Sequence, residues 1–246
     1  MPSDQPIALV TGASGPIGGA VSRHLLRAGA DVAGVHCDHR AGHDAAAAAA
    51  AVLGRRYRPL HADLADPTGP ATAHRAARAA LGPAQVLVCA AGRGLRQSVL
   101  LTRTPAVAET FALNVIGVIE LARLVARDMM RMKYGRIVLI GSVAGSRGFP
   151  GQAAYAASKG ALAMWAASAA GELAPHGITV NVVAPGVIDT SNSVYSADEA
   201  RQVAARIGAR RAGTPDEVAA AVAFLASRDA AYINGAVIPV DGAIGW

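Results

Sequence analysis

Apolar and polar positions along this chain predict strands and helices in regular alternation. Short apolar runs that end at glycine, proline or aspartate are separated by alanine-rich or amphipathic blocks of helical length. The predicted strands are Ile7–Val10, Asp31–Cys37, Tyr57–His61, Gln85–Ala90, Arg136–Gly141, Ile178–Val183 and Ala236–Val240. The predicted helices are Ile17–Arg27, Ala45–Leu53, Pro67–Leu81, Pro105–Met132, Gln152–Leu173 and Asp216–Ser227, with Thr214 and Pro215 as the cap of the last.

This alternation predicts an α/β fold: a Rossmann-like, doubly wound parallel sheet with helices on both faces. The run Ile137–Ile140 is apolar at every position, which is typical of a central strand buried on both faces. No linker or repeat interrupts the pattern, so residues 1–246 are expected to form one domain. Ligands of such sheets bind beyond the carboxyl ends of the strands. Those ends are predicted at Thr11, Cys37, Ala90, Gly141 and Val183.

Composition then removes several classes of protein. Of the 246 residues, 52% are hydrophobic, which is enough for a large core and excludes intrinsic disorder. No uninterrupted apolar stretch has the length of a bilayer span, and the first residues lack the basic region of a secretory signal, so no membrane partner is expected. Cys37 and Cys89 match no metal-ligand spacing, so we expect no metal and a reducing, cytoplasmic compartment.

The net charge of +6 does not by itself indicate nucleic acid. The arginines are scattered, only 4% of residues are aromatic, and no basic stripe is visible, so no nucleic-acid partner is expected. A solvated surface is the simplest interpretation, and a negatively charged cofactor or substrate carrier is the alternative. Lysine occurs only at Lys133 and Lys159, which makes each of them a candidate for a specific role.

A glycine-rich turn follows the first predicted strand. Gly12, Ser14, Gly15, Ile17 and Gly18 lie where the strand passes into the first helix. Such a turn brings backbone N–H groups and the positive end of the helix dipole to a phosphate, and glycines permit the close approach. A tight turn without a ligand is the structural alternative.

Farther along the chain, four residues have side chains suited to the reduction of a carbonyl group. Tyr155 and Lys159 are four residues apart on a predicted helix and therefore share a face. A ketone that accepts a hydride needs a proton, and a nearby ammonium lowers the pKa of a phenol toward the useful range. Ser142, at a strand end, offers a hydroxyl that stabilises developing charge, and Asn114 lies in the long helix. Taken singly, Tyr155 with Lys159 could be an ordinary surface pair, Ser142 could simply end a strand, and Asn114 could be a cap.

Together, these motifs resemble the short-chain dehydrogenases/reductases, and most closely the 3-oxoacyl-[acyl-carrier-protein] reductases and polyketide ketoreductases. The resemblance rests on Thr-Gly-x-x-x-Gly-x-Gly from Thr11, Ser142 and Tyr-x-x-x-Lys from Tyr155, and it covers essentially the whole chain. It implies an NAD(P)-dependent enzyme with a catalytic set of Asn114, Ser142, Tyr155 and Lys159. Tyr155 is then the general acid, and Lys159 also holds the nicotinamide ribose.

The resemblance also implies the cofactor contacts. Besides the glycine-rich turn, Tyr155 and Lys159, they are Cys37, Asp38, His39, Arg40, Asp63, Leu64, Ala90, Ala91, Gly92, Pro185, Gly186, Ile188 and Thr190. Asp63 has an alternative as a helix cap, and Pro185 with Gly186 as a simple turn. Two departures from the family pattern stand out. Pro16 replaces a glycine, which the first helical position tolerates. The sequence Cys89-Ala90-Ala91-Gly92 replaces Asn-Asn-Ala-Gly, so bracing hydrogen bonds beside the adenosine are expected to be lost.

The choice of cofactor depends on the end of the second strand. Cys37 is neutral there, whereas an acidic residue would favour the ribose hydroxyls of NAD. Asp38 would repel a 2′-phosphate, whereas His39 and Arg40 would attract one. The reductase resemblance favours NADPH, with NADH as the alternative.

The expected substrate is an oxo-acyl or polyketide ketone. Residues 191–211, polar and small, are expected to form a lid that suits a flexible chain better than a steroid. An acyl carrier protein is a further expected partner, because the resemblance places Arg123, Arg127, Arg131 and Lys133 near the mouth; a solvated helix face is the alternative. The glycine at position 171, Gly171, stands where the family often has arginine, and this counts against docking of a carrier protein. Other interpretations are a sugar or steroid dehydrogenase and a non-catalytic binding protein.

A homotetramer, or a homodimer, is the expected assembly. The resemblance implies that Pro105–Met132 and Gln152–Leu173 pair across a dimer and that the strand Ala236–Val240 pairs again in a tetramer. Small residues on the second helix would permit close packing there: Ala156, Ala157, Gly160, Ala163 and Ala167. Packing of these residues within one chain is the alternative.

Overall fold

The seven predicted strands form one parallel sheet in the computed structural model, which describes residues 5–37, 43–190 and 205–244. The strands are β1 (Ile7–Thr11), β2 (Asp31–His36), β3 (Tyr57–His61), β4 (Val86–Cys89), β5 (Gly135–Ile140), β6 (Ile178–Pro185) and β7 (Val237–Val240). They are ordered β3-β2-β1-β4-β5-β6-β7, and each neighbouring pair is parallel. The predicted α/β class and doubly wound sheet are confirmed.

Helices connect the strands close to the predicted bounds. They are α1 (Pro16–Arg27), α2 (His43–Leu53), α3 (Gly69–Leu81), α4 (Thr104–Phe111), α5 (Gly117–Met132), α6 (Ala144–Arg147), α7 (Ala153–Leu173) and α8 (Pro215–Ala226). A π-helical turn, Ala112–Ile116, joins α4 to α5, so the long predicted helix is continuous but contains one wide turn. The sequence pattern did not predict this turn or the short α6. The predicted cap of α8 is confirmed, since Thr214 and Glu217 form a reciprocal capping box.

Two apolar layers enclose the sheet. Leu9 and Leu87 face the layer formed with α3, α5 and α7, in which Leu121, Met129 and Leu162 are buried. The opposite face of the sheet packs against α1, α2 and α8. Burial on both sides explains the continuous apolar runs of the central strands.

The direction of winding reverses between β1 and β4. Thr11 at the end of β1 lies in register with Cys89 at the end of β4, and Cys89 pairs in turn with Leu139 of β5. The loops after these strands therefore leave the same edge of the sheet. A reversal of this kind opens a crevice between the loops, which is the usual ligand site of the fold.

The continuous helix Thr104–Met132 has the length and composition of a membrane span, which the sequence analysis did not expect. Its most apolar 18-residue window has a mean hydropathy of 1.4. However, Leu121, Val125 and Met129 of this helix are buried against the sheet. One face of this helix therefore belongs to the core.

Candidate active site

The glycine-rich turn passes directly beneath the loop that follows β4. Gly12 has a φ of +63°, and a Cβ on it would lie 2.8 Å from the backbone nitrogen of Ala91. Pro16 takes the first helical position of α1, as expected, and the cap residue Gly15 offers no side-chain acceptor. No capping side chain therefore accepts from the first-turn N–H groups of α1.

Tyr155 and Lys159 lie on α7, one helical turn apart. The Lys159 side chain is buried, its Nζ donates to the carbonyl oxygen of Ile140 at 2.8 Å, and Nζ lies 5.8 Å from the centre of the Tyr155 ring. Burial lowers the pKa of Lys159 to about 8, and the neighbouring Cys89 opposes that shift. The ammonium therefore remains the main form at neutral pH, close to the phenol.

Ser142 lies directly after β5, at the same edge of the sheet. Its Oγ accepts a hydrogen bond from the backbone nitrogen of Ala144 at 3.1 Å. Behind it, α6 packs closely on α7, since a Cβ on Gly145 would lie 2.8 Å from the backbone carbon of Lys159. This close packing fixes the Ser142 segment against the helix that carries Tyr155 and Lys159.

Asn114 lies in the π-helical turn, and its side chain is completely buried. Its Oδ1 accepts from the backbone nitrogen of Arg93 at 2.9 Å, and its Nδ2 donates to the Arg93 carbonyl at 3.0 Å. Nδ2 also donates to Oγ of Ser158 at 3.1 Å, and that hydroxyl donates to the Tyr155 carbonyl at 2.7 Å. One amide thus joins the loop after β4 to the segment of α7 that carries Tyr155 and Lys159. Sequence reasoning missed Ser158, although it lies inside the Tyr-x-x-x-Lys motif.

The altered sequence Cys89-Ala90-Ala91-Gly92 is supported by a hydrogen bond that does not depend on the missing side-chain amides. The backbone nitrogen of Ala91 donates to Oγ1 of Thr11 at 3.1 Å, so a side chain of β1 supports this loop. Cys89 is buried, and burial raises the pKa of its thiol to about 12. A Cβ on Gly92 would lie 3.3 Å from both Asn114 Oδ1 and Lys159 Nζ, so glycine gives the backbone close access to this centre.

A cavity of about 300 Å³ brings these elements together. The predicted residues that line it are Ile17, Ala90, Gly92, Ser142, Tyr155, Lys159, Pro185, Gly186, Ile188 and Thr190. Asn114 does not line the cavity but is hydrogen-bonded to Arg93, which does. Lining residues that the sequence analysis did not single out include Arg93, Leu95, Arg96, Phe149, Gln152 and Ile244. Except for Gln152, the predicted first residue of the helix that carries Tyr155, they lie on irregular segments that periodicity does not place, and only the tertiary fold brings them here.

The adenosine side of the crevice agrees less closely with expectation. Asp63 is exposed after β3, where its Oδ1 accepts from the backbone nitrogen of Ala65 at 2.8 Å in a local turn. It does not cap the next helix, because Thr68 holds the cap position of α3. The side chain of Leu64 is buried in the core against α5 rather than presented to the crevice. Cys37 is exposed just after β2. Asp38, His39 and Arg40 lie outside the described residues.

The basic residues expected near the mouth lie elsewhere. Arg123 pairs with Glu120, and Arg131 pairs with Asp128, both within α5. Helix α5 leads away from the site, so Arg131 lies roughly 25 Å along the axis from Asn114, at a rise of about 1.5 Å per residue. Neither these arginines nor Arg127 and Lys133 line the cavity. These residues lie away from the cavity of their own chain because a helix that begins at the carboxyl edge of the sheet must return to its amino edge.

Most of the predicted lid, residues 191–204, lies outside the described residues. The described end of that segment contains Ile207, which is buried against Val143 and Ile244. Val143 and Ile244 of this small apolar cluster also line the cavity.

Comparisons with known proteins agree with this architecture. Residues 12–244 match the family model described as enoyl-(acyl carrier protein) reductase. The chain is 39% identical over 237 residues to the 3-oxoacyl-[acyl-carrier-protein] reductase FabG of Escherichia coli, covering 96% of each protein. It is also 39% identical to the reductase MabA of Mycobacterium bovis, covering 96% of this chain and 92% of MabA.

Solved structures show the same likeness. A short-chain dehydrogenase/reductase from Serratia marcescens superposes with a TM-score of 0.91 at 33% identity and 99% coverage of both chains. A blue fluorescent protein from a metagenomic library, solved in complex with NADPH, gives a TM-score of 0.89 at 34% identity and 98% coverage of both chains.

Proposed function

This chain belongs to the short-chain dehydrogenase/reductase family, and we propose that it reduces the ketone of an oxo-acyl or polyketide substrate with NADPH. As a member of this family, the chain is an oxidoreductase. The observation that carries the proposal is the arrangement of Ser142, Tyr155 and Lys159 around one cavity, with the Pro185–Ile188 turn in the same wall. The 3-oxoacyl-[acyl-carrier-protein] reductases among its relatives support the substrate class, and a carrier-borne substrate with it.

The residues around the crevice fit a nicotinamide dinucleotide. A glycine cap without a side-chain acceptor leaves the first turn of α1 for a pyrophosphate, and Ile17 of that turn lines the cavity. Gly92 leaves room beside Lys159 that a Cβ would fill. When bound, NADPH supplies the hydride. Pro185, Gly186, Ile188 and Thr190 would orient its nicotinamide, and Lys159 would hold the ribose.

Tyr155 is the proposed general acid. Its hydroxyl donates a proton to the carbonyl oxygen of the ketone, while the Ser142 hydroxyl donates a hydrogen bond to the same oxygen. The ammonium of Lys159 stabilises the phenolate that remains, and its hydrogen bond to Ile140 keeps it in place. Asn114 positions the loop and the helix through its bonds to Arg93 and Ser158.

The test is the rate of NADPH oxidation with a simple 3-oxo ester. Tyr155→Phe should lose about 10³-fold in kcat, since it removes the proton donor, and should still bind NADPH. Lys159→Ala should be similarly impaired, and wild-type kcat/KM should be higher with NADPH than with NADH. Tyr134→Phe, a tyrosine remote from the cavity lining, is the matched control and should retain full turnover. Near-normal turnover in Tyr155→Phe would contradict the mechanism, and a wild type without turnover would favour a binding protein.

We also propose that the chain assembles through α5 and α7 into a dimer, and through β7 into a tetramer. Met164 on α7 is 67% exposed and Ile116 before α5 is 64% exposed, which is unusual for large apolar side chains. Strand β7 is the edge of the sheet, where Val237 is 42% exposed. Gly160 no longer belongs to the proposed contact, because it packs against Gly145 of its own chain.

Light scattering at micromolar concentration should give the mass of a tetramer or a dimer. Met164→Glu should reduce that mass by placing a charge in the α7 contact. A monomeric wild type would contradict the proposed assembly. A cytoplasmic location is proposed as well, in keeping with the absence of a disulfide bond at Cys37 and Cys89.

A further inference from the structure

We propose that the substrate of this site carries an anionic group, a carboxylate or a phosphate, and that Arg93 binds this group with the help of Arg96. The proposal rests on the ketoreductase function proposed above and specifies its substrate class. Neither arginine belongs to the motifs on which the family resemblance depends.

The charge of the cavity is the first observation. Its lining includes three residues with cationic side chains, Arg93, Arg96 and Lys159, and no aspartate or glutamate among the described residues. Lys159 is buried and held by Ile140, whereas both arginines are exposed at the opening. A cleft lined by one sign of charge concentrates ligands of the opposite sign.

The position of Arg93 is the second observation. It directly follows Gly92, where a Cβ would lie 3.3 Å from both Lys159 Nζ and Asn114 Oδ1. Its backbone N–H and carbonyl are both hydrogen-bonded to the buried amide of Asn114. The side chain of Arg93 therefore starts one residue from the reaction centre, on a backbone fixed on both sides.

Arg96 extends the same wall of the cavity. The backbone nitrogen of Gln97 donates to the Gly151 carbonyl at 2.7 Å, which joins this loop to the segment before α7. A Cβ on Gly151 would lie 3.8 Å from Cγ of Arg96, so the stem of Arg96 lies along that segment. Gln152 of that segment lines the cavity as well. The wall thus combines two guanidinium groups with the segment that leads to Tyr155.

Guanidinium chemistry identifies the ligand group. The planar fork of N–H donors matches the paired oxygens of a carboxylate or phosphate, and charge-assisted bonds of this kind are stronger than neutral ones. Two molecules could supply such a group: a free oxo acid, through its carboxylate, or a pantetheine thioester, through its phosphate. The closeness of Arg93 to the reaction centre favours the compact oxo acid, since the phosphate lies at the far end of the pantetheine arm.

The experiment compares matched ketones with NADPH as the cofactor. One pair is a 3-oxo carboxylate and its methyl ester, and the other is a 3-oxoacyl phosphopantetheine thioester and its N-acetylcysteamine analogue. For each pair, the specificity ratio is kcat/KM for the anionic member over kcat/KM for the neutral member. Arg93→Gln should lower this ratio about tenfold for at least one pair, equivalent to about 1.4 kcal/mol. Arg96→Gln should lower it less.

Arg103→Gln is the matched control, because Arg103 is an exposed arginine on the same connecting segment and does not line the cavity. A loss confined to the carboxylate pair supports the oxo acid, and a loss confined to the thioester pair supports the pantetheine phosphate. Unchanged ratios in Arg93→Gln, or equal losses in Arg103→Gln, would overturn the proposal while leaving the ketoreductase function intact. If wild type reduces none of the four ketones, the proposed function itself fails.

Discussion

The helix Thr104–Met132 holds a buried polar residue near each end, and the two ends differ in what those residues serve. Near its start, the amide of Asn114 is completely buried and hydrogen-bonds Arg93 and Ser158. Near its end, the carboxylate of Asp128 is almost as buried and pairs with His74 and Arg78 of α3 and with Arg131 of α5. Both side chains follow the general rule that a buried polar group has hydrogen-bond partners.

The partners explain the difference. The partners of Asn114 belong to the loop and the helix that line the cavity, so this amide helps to position the residues of the site. Those of Asp128 belong to two helices that pack on one face of the sheet, away from the cavity lining. A hydrogen-bonded neutral amide costs less to bury than a carboxylate, and a buried carboxylate is stable only while its cationic partners are present. We therefore expect one end to affect turnover and the other to affect stability.

Asn114→Ala tests the first half of this comparison and should have the larger effect. It removes three hydrogen bonds and frees the Arg93 segment beside the reaction centre. Displacement of reacting groups by about 1 Å can cost about 100-fold in rate, or about 2.7 kcal/mol of barrier. Steady-state assays should therefore show a lower kcat in a protein that remains folded by circular dichroism.

Asp128→Asn provides the contrast in the same assay and should keep the kcat of wild type. If both variants lose turnover equally, or if Asn114→Ala keeps full turnover, the two ends do not differ as proposed.

How far the site could be predicted depends on whether its residues lie on regular elements. Tyr155 and Lys159 share a helix face by helical spacing alone, and the turn after β1 is placed by the strand that precedes it. Arg93 and Arg96 could not be found in this way, because an irregular loop has no period. The bonds from Asn114 that fix that loop span 21 residues of sequence.

The misplaced arginines of α5 show a different limit. Periodicity correctly gives the helix that carries Arg123 and Arg131, but it does not tell which edge of the sheet each end approaches. The path of the chain supplies that information: Asn114 lies near the carboxyl edge, and Gly135 begins β5 at the amino edge. The distance of Arg131 from the site therefore follows from topology together with helical rise.

Asp128→Asn tests the second half of the comparison, with a smaller effect that should appear in the free energy of unfolding. The asparagine keeps the shape of the side chain but removes the charge that faces Arg78, Arg131 and His74. We expect a loss of about 2 kcal/mol, because a charged hydrogen-bond partner is removed from a buried site whose arginines still reach water. Urea unfolding at neutral pH measures this difference. Glu120→Gln, which affects a more exposed carboxylate paired with Arg123 on the same helix, should cost less than about 1 kcal/mol.

The pH dependence of the difference in unfolding free energy between wild type and Asp128→Asn tests whether the charge of Asp128 causes that difference. Burial by itself would raise the pKa of Asp128, but hydrogen bonds from Arg78 and His74 outweigh burial and hold the pKa below its ordinary value. A carboxyl group with a lowered pKa stabilises the folded state above the ordinary pKa of about 4, and this stabilisation is lost as the pH falls through the folded value. The difference in unfolding free energy between wild type and Asp128→Asn should therefore shrink as the pH falls below about pH 4. A difference that stays unchanged into acid would mean that packing at Asp128, and not its charge, stabilises this end of the helix.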